Sequence, residues 1–202
     1  MDGRIPRRQG FHDFHAKRRA SGLKDTDGPE GQNLSGRCLM FGAAVPSLTP
    51  GMMNPNLQIV QTKDHIMVLT EMIHDARIIR INENHLPFNI PQWMGDSVAS
   101  WEGDTLVVHS INFRPEQSSS RTITLSDEFE LTERYTLVSD DEILYEFTVV
   151  DNKAYEQPFS GHRILTRNRP EERVYEYACH EGNYSLPGIL AGARRLESEN
   201  NN

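Results

Sequence analysis

Two neighbouring segments of the chain alternate apolar and polar side chains with a period of two, which indicates half-buried β-strands. They cover residues 129–138 and 143–151, and their apolar positions are Phe129, Leu131, Tyr135, Leu137, Ile143, Tyr145, Phe147 and Val149. The two apolar faces coincide in a hairpin only if an odd number of residues connects them. The pattern therefore predicts a hairpin with a three- or five-residue turn.

Short apolar runs of the same kind follow one another along most of the chain. They lie at residues 58–62, 65–73, 76–81, 98–113, 161–166 and 174–180. Lys63-Asp64 and Gly103-Asp104 are turn signals, and the second divides 98–113 into two strands. These connections leave little room for crossover helices, so we expect a mainly β fold: an antiparallel up-and-down barrel or a strongly curved sheet of about eight strands. A barrel of that size can hold one small ligand.

The chain divides into three regions. Residues 1–55 are punctuated by Gly, Pro, Ser and Asn and predict an irregular N-terminal arm, with a short helix at 11–21 and a packed piece at 39–45. Residues 56–197 form the barrel-like domain, which ends in a short C-terminal helix at 186–197 that begins near Pro187. We expect residues 198–202 to be a disordered tail.

The charge of the chain limits its partners. A net charge of −8 over 202 residues argues against binding nucleic acid or anionic lipid through a general positive surface. The basic residues among the first twenty indicate a solvated tail rather than a binding arm. No run approaches the roughly 20 apolar residues of a membrane span. The chain as given also lacks the apolar core of an export leader, which by itself favours the cytoplasm.

Three ionisable residues occupy strand positions that the apolar pattern otherwise assigns to the hydrophobic core. Glu133, His109 and Glu71 each stand between apolar residues two positions away on the same strand face. A buried carboxylate resists ionisation unless a cation or hydrogen-bond donors meet it. Each residue therefore belongs either to a structural pair, such as Glu133 with Arg77 or Arg80, or to a reactive pocket.

Two short segments combine histidine with carboxylates, namely EMIHD (71–75) and HEGNY (180–184). A histidine held by a carboxylate can transfer protons near neutral pH. With the residues above, these segments give the candidate catalytic set Glu71, His74, His109, Glu133, His180 and Glu181. The aromatic residues available to line a pocket and bind a substrate are Trp93, Trp101, Tyr145 and Tyr177.

A metal site uses the same residue types. No cofactor is predicted in the first instance, but a divalent metal is the alternative, with His74, His85 and His180 as its candidate ligands beside Glu71 and His109. Zinc-ligand spacing, a Gly-x-Ser-x-Gly nucleophile motif and glycine-rich phosphate loops are absent from the sequence. Cys38 and Cys179 either form a disulfide or remain two buried thiols.

Four segments resemble those of a large group of bacterial proteins of unassigned function. They are EMIHDARIIRI (71–81), QWMGDSVASWEGDTLVV (92–108), LYEFTVVD (144–151) and YEYACHEGNYSLPGILAGAR (175–194), within roughly the last two thirds of the chain. Members of that group often carry an export signal and commonly have a cysteine near the position of Cys38. The resemblance therefore implies a periplasmic or secreted protein with a Cys38–Cys179 disulfide. Where relatives usually read VVDT, this chain has VVHS, so His109 either replaces an aspartate or marks a different activity.

These patterns favour a cofactor-independent acid–base enzyme of lyase, isomerase or cyclase type, acting on a small, partly apolar or aromatic substrate in the barrel pocket. One alternative is a lipocalin-like carrier that binds a small molecule without turnover. It requires an apolar cavity and a cation beside every buried carboxylate. Another is an interaction subunit, in which the WMGDS and HEGNY segments are turns at a partner surface and the partner can be a second copy of the chain.

Overall fold

Eight strands form one sheet in the order in which they occur along the chain. The computed structural model describes residues 4–40, 55–87, 90–118 and 123–200. The strands are β1 (Leu57–Gln61), β2 (His65–Thr70), β3 (Ala76–Ile81), β4 (Asp96–Glu102), β5 (Thr105–Ile111), β6 (Glu130–Ser139), β7 (Glu142–Val150) and β8 (Phe159–Thr166). The sheet curls into a half-barrel, which confirms the predicted mainly β fold and strongly curved sheet.

One pair of strands departs from the expected antiparallel order. β3 and β4 are parallel, with Ile79 opposite Ser97 and Ile81 opposite Ala99, whereas the other neighbouring pairs are antiparallel. Because β3 and β4 run in the same direction, the chain must return between them, and Gln92 forms an isolated parallel bridge with Phe113 before β4 begins. The sequence pattern indicated a loop between antiparallel strands here and so missed the crossover.

Alternate residues of the central strands β2, β3, β5 and β6 are buried, as the sequence pattern predicted. In β5, Leu106, Val108 and Ser110 are buried and the residues between them are partly exposed. We call the face that carries these buried positions the inner face, and the opposite one the outer face. The β6–β7 hairpin aligns its inner-face residues because a bulge accompanies the Asp140-Asp141 turn. Leu137 and Ile143 pair on the inner face, so the two apolar faces coincide as expected. The predicted three- or five-residue turn is wrong, because the strands are joined by the two residues 140–141 and the bulge between Leu137 and Ser139 restores the alignment.

An apolar cluster closes the end of the half-barrel where β5 ends and β6 begins. It contains Phe113, Ile123, Leu125, Phe129, Leu131, Val149, Ala154 and Tyr155. The N-terminal arm packs here: Phe11 lies against the cluster, and the backbone N–H of Arg8 donates to the carbonyl of Ala154 at 2.8 Å. Arg7 forms an isolated antiparallel bridge with Tyr155. The arm therefore packs against this cluster and against the loop that follows β7.

The described residues also form two helices, and both were predicted. α1 (Phe14–Ala20) is capped by Asp13, whose side chain accepts from the N–H of Ala16 at 2.8 Å. α2 (Ser185–Asn200) continues past residue 197, where the sequence predicted a disordered tail. Short 3-10 turns cover Pro29–Gly31, Met72–His74 and Pro115–Gln117. Among the described residues, neither helix is long and apolar enough to cross a bilayer.

The segment after β8 is tied to the arm rather than to the sheet. Residues 174–180 were predicted as a strand, but the structure assigns no strand there. Instead, Cys179 forms a disulfide with Cys38, and the side-chain amide of Asn183 donates to the carbonyl of Gly36 at 2.8 Å. The chain leaves the edge of the sheet in order to reach these partners. Most of the packed piece predicted at 39–45 lies outside the described residues, although Leu34, Cys38 and Met40 are buried.

Candidate ligand-binding site

An ion pair lies in the middle of the inner face. Arg77 on β3 donates from Nη2 to Oε2 of Glu133 on β6, and their side chains are 1% and 0% exposed. The other carboxylate oxygen, Oε1, accepts from the hydroxyls of Tyr135 at 2.9 Å and Tyr145 at 3.0 Å. Both oxygens of Glu133 are therefore hydrogen-bonded, and a guanidinium balances its charge. This pair is one of the two structural pairs that the sequence allowed.

Two serines complete the network around the guanidinium. Arg77 donates from Nε to Oγ of Ser97 at 3.0 Å and from Nη2 to Oγ of Ser110 at 2.7 Å, and the two hydroxyls lie 2.9 Å apart. They lie directly opposite each other on β4 and β5. Among the described residues, none accepts from the buried Nη1 of Arg77.

The network fixes the charge states of Arg77 and Tyr145. Burial lowers the pKa of Arg77, but the nearby Glu133 carboxylate outweighs burial and leaves the pKa above its usual value. Burial, followed by the charge of Glu133, raises the pKa of the Tyr145 phenol far above its usual range. Tyr145 therefore remains protonated and donates, while Arg77 remains charged. An arrangement of this kind stabilises a fixed geometry rather than supplying an accessible base.

An apolar cavity of about 540 Å³ opens on the inner face beside this network. Its apolar lining comes from β1 to β7 and includes Ile59, Ile66, Ile79, Trp101, Leu106, Leu137 and Ile143. Tyr135 belongs to both features, because it lines the cavity while its hydroxyl donates to Glu133. Cavities of this size, mostly apolar with a few polar groups, are typical of small-molecule sites.

The mouth of the cavity exposes several large apolar side chains. Ile59 is 42%, Leu137 is 59% and Trp101 is 45% exposed, and all three line the cavity. Large apolar side chains that are exposed together at a cavity mouth are typical of ligand-binding surfaces.

A second polar cluster lies on the outer face, on the other side of the same sheet. Asp96 accepts at Oδ2 from Nδ1 of His85 at 2.8 Å, and Nε2 of His85 lies 2.9 Å from Nδ1 of His109. On its far side, Nε2 of His109 lies 3.7 Å from the carboxylate of Glu130. The four side chains form a continuous carboxylate–imidazole–imidazole–carboxylate row.

Asp96 anchors this row to the sheet. It also accepts from Arg80 and from the backbone N–H of Leu86, each at 2.9 Å. Burial raises the pKa of Asp96, but the bonds from Leu86, His85 and Arg80 outweigh burial and hold the pKa below its usual value. The row therefore holds the loop containing residues 85 and 86 on the outer face. The outer-face row and the inner cavity are separated by the sheet.

The structure does not bring the predicted catalytic residues together. Glu133 is on the inner face, whereas His109 is on the outer face. Glu71 is buried beside Asn56, whose side-chain amide donates to it, and His74 is exposed at the end of a 3-10 turn. His180 and Glu181 are in the segment that follows the disulfide, and both are exposed. The single shielded hollow that the acid–base interpretation required is not formed by these residues.

The predicted aromatic residues divide in a similar way. Trp101 lines the cavity and Tyr145 belongs to the network beneath it. Trp93 instead packs against Arg114, with the guanidinium carbon 4.5 Å from the ring centroid, and Tyr177 lies two residues before Cys179. Neither is among the residues that line the cavity.

Several residues of both clusters were missed at the sequence level. Ser97, Ser110 and Tyr135 occupy inner-face positions, and strict alternation along β4, β5 and β6 could have identified them. Asp96 and Glu130 gave no such signal, because they belong to the outer face and resemble ordinary solvated carboxylates.

The candidate metal ligands are also separated. His85 lies in the outer-face row, His74 at the 3-10 turn and His180 near the disulfide. Within the described parts of the chain, no three His, Cys, Asp or Glu side chains are grouped so as to hold a metal ion.

Comparison of the chain with known proteins found no matching family model, curated protein or solved structure.

Proposed function

We propose that this protein binds a small, mostly apolar molecule in the inner cavity, as a lipocalin-like carrier does. The apolar cavity of about 540 Å³ above a neutralised ion pair carries the proposal. Apolar ligand surface that enters such a cavity leaves water, which favours binding. The Arg77–Glu133 pair and its tyrosines give the floor of the site a fixed shape.

Acid–base catalysis in the same cavity has less support. Glu133, the carboxylate nearest the cavity floor, is bonded to Arg77, Tyr135 and Tyr145. A general base must be within hydrogen-bond reach of the proton that it removes, and both oxygens of Glu133 are occupied. The histidines of the predicted catalytic set lie elsewhere.

The binding proposal is tested by two neighbouring substitutions on β1. Ile59 and Val60 are 42% and 41% exposed, but Ile59 lines the cavity and Val60 points to the outer face. Binding of the neutral probe N-phenyl-1-naphthylamine is measured by its fluorescence increase. Ile59→Lys should weaken that binding about tenfold, which corresponds to about 1.4 kcal/mol. Val60→Lys should leave it unchanged.

The outcomes separate a cavity site from nonspecific adsorption. Equal losses in the two variants would place the probe outside the cavity, and the absence of any fluorescence increase would remove the support for binding. Circular dichroism of both variants checks that the sheet is intact.

The disulfide supports a proposal about location. Disulfides persist in oxidising compartments and are rare in the cytoplasm, so we propose that this protein works in the periplasm or outside the cell. Alkylation of thiols in freshly lysed source cells, followed by mass spectrometry, should find Cys38 and Cys179 unmodified. Complete alkylation without added reductant would contradict the proposal.

A further inference from the structure

We infer that the cavity selects apolar molecules that carry a positive charge at one end. The inference rests on the proposed binding function and adds the chemical class of the ligand. The observations that carry the inference concern the residues at the mouth of the cavity. Three of them, Trp101, Gly103 and Asp104, belong to the β4–β5 hairpin.

Asp104 is the source of charge at the mouth. Among the described residues that line the cavity, it is the one ionisable at neutral pH, and Lys, Arg and His do not occur there. Arg77 on the inner face does not line the cavity, and its charge is balanced by Glu133. The charge presented to a ligand at the mouth is therefore negative.

Trp101 adds a second preference for a cation. It is 45% exposed and lies on the strand that leads into the turn containing Asp104. The face of an indole ring attracts cations more strongly than other aromatic side chains, and quaternary ammonium groups are recognised in this way. Gly103 has a positive φ of 60° in this turn. No atom lies within 4 Å of the position that a Cβ would occupy there, so the turn is open toward solvent.

The neighbouring groove between β1 and β8 has mixed charge. It shares Ile59, Leu137 and Ile143 with the cavity and contains arginines as well as acidic residues. Of these arginines, Arg167 donates to the side chain of Asp141 at 2.9 Å. A cationic head group is therefore favoured on the Trp101–Asp104 side, where no basic residue is part of the described lining, over the groove that contains arginines.

Three competitors with the same tail test the inference on the full chain. Octyltrimethylammonium, octanol and octyl sulfate, each below its micelle concentration, compete with N-phenyl-1-naphthylamine. The cation should displace half of the probe at a concentration about tenfold lower than octanol, because it gains both the carboxylate and the indole ring. Octyl sulfate should require a higher concentration than octanol.

Matched variants identify the residues responsible. Asp104→Asn and Trp101→Leu should each reduce the advantage of the cation over octanol about threefold. Glu102→Gln removes one negative charge two residues away, where Glu102 pairs with Arg134 on the outer face. This control should change the advantage by less than about twofold, because Glu102 is exposed on the opposite face of the sheet, where Arg134 and solvent screen its charge.

The two proposals fail in different ways. If the probe binds and responds to Ile59→Lys, but octanol or octyl sulfate displaces it as well as the cation does, the inference is overturned and the binding function stands. Equal effects of Asp104→Asn and Glu102→Gln on the advantage of the cation would also overturn the inference alone. If the probe does not enter the cavity, both proposals are overturned.

Discussion

Replacing Glu133 by Gln should lower the free energy of unfolding by about 3–5 kcal/mol, which is the usual cost of removing one partner of a buried ion pair. The magnitude follows from burial, because the side chains of Arg77 and Glu133 are 1% and 0% exposed. The amide oxygen of Gln can still accept from Tyr135 and Tyr145. The loss therefore comes chiefly from the guanidinium, which stays charged in a site that water cannot reach.

A double-mutant cycle separates this charge effect from simple loss of packing. Arg77→Met alone leaves a buried carboxylate without its cation and should also cost about 3–5 kcal/mol. The variant carrying both Arg77→Met and Glu133→Gln has no charge left to compensate. Its cost should be smaller than the sum of the two single costs by at least about 2 kcal/mol.

The assay is urea unfolding followed by far-ultraviolet circular dichroism with the disulfide intact. The matched control is Arg134 with Glu102, because Arg134 is the next residue on β6 and its pair lies on the outer face, 40% and 59% exposed. Breaking that exposed pair should cost no more than about 1 kcal/mol. Additive single costs at Arg77 and Glu133, or a loss below about 1 kcal/mol for Glu133→Gln, would refute the reasoning.

Three further predictions concern other parts of the chain. Replacing Cys38 and Cys179 by Ser should lower the free energy of unfolding by up to roughly 5 kcal/mol, since the bond spans 141 residues of sequence; an unchanged urea midpoint would contradict this. Tyr155→Phe should cost about 2–4 kcal/mol, because the buried hydroxyl donates to the carbonyl of Thr124 and accepts from its N–H. Burial also raises the pKa of Tyr155 to about 12. The stabilisation that Tyr155 provides is therefore complete below about pH 10 and is lost as the pH rises toward 12. Between about pH 9 and 11 the free energy of unfolding should fall more for the wild type than for Tyr155→Phe, and equal falls would contradict the raised pKa of Tyr155. Since the pKa of Asp96 is lowered in the fold, its stabilising effect is present above about pH 4 and is lost on further acidification. Asp96→Asn should therefore destabilise the protein at about pH 7 and much less at about pH 3. An equal loss in the free energy of unfolding at both pH values would contradict this link between the pKa of Asp96 and stability.

The sequence predicted the inner face well because strand alternation is a local property. Glu133 was expected on an apolar face, with Arg77 as one possible partner, and the structure shows that pair. The same rule does not detect where a strand stops. β2 ends at Thr70 because Glu71 has helical backbone angles, φ −62° and ψ −45°, and caps a 3-10 turn, so Glu71 lies outside the sheet.

The outer-face row could not be predicted in the same way. His85 lies in the irregular connection before β4, where no periodicity relates it to His109. Their contact depends on the path of that connection over the outer face, which tertiary packing decides. Residues 174–180 show the converse problem, because their apolar spacing resembles a strand while the disulfide directs them to the arm.

The order of the strands has a consequence for how the chain folds. Every strand pairs with the next one in sequence, so the sheet can grow one neighbour at a time with small loop-closure entropy at each step. The arm and the segment after β8 meet across a far longer stretch of chain. A newly made chain should therefore complete its sheet before its two thiols find each other, and an oxidant would then act on an already folded half-barrel.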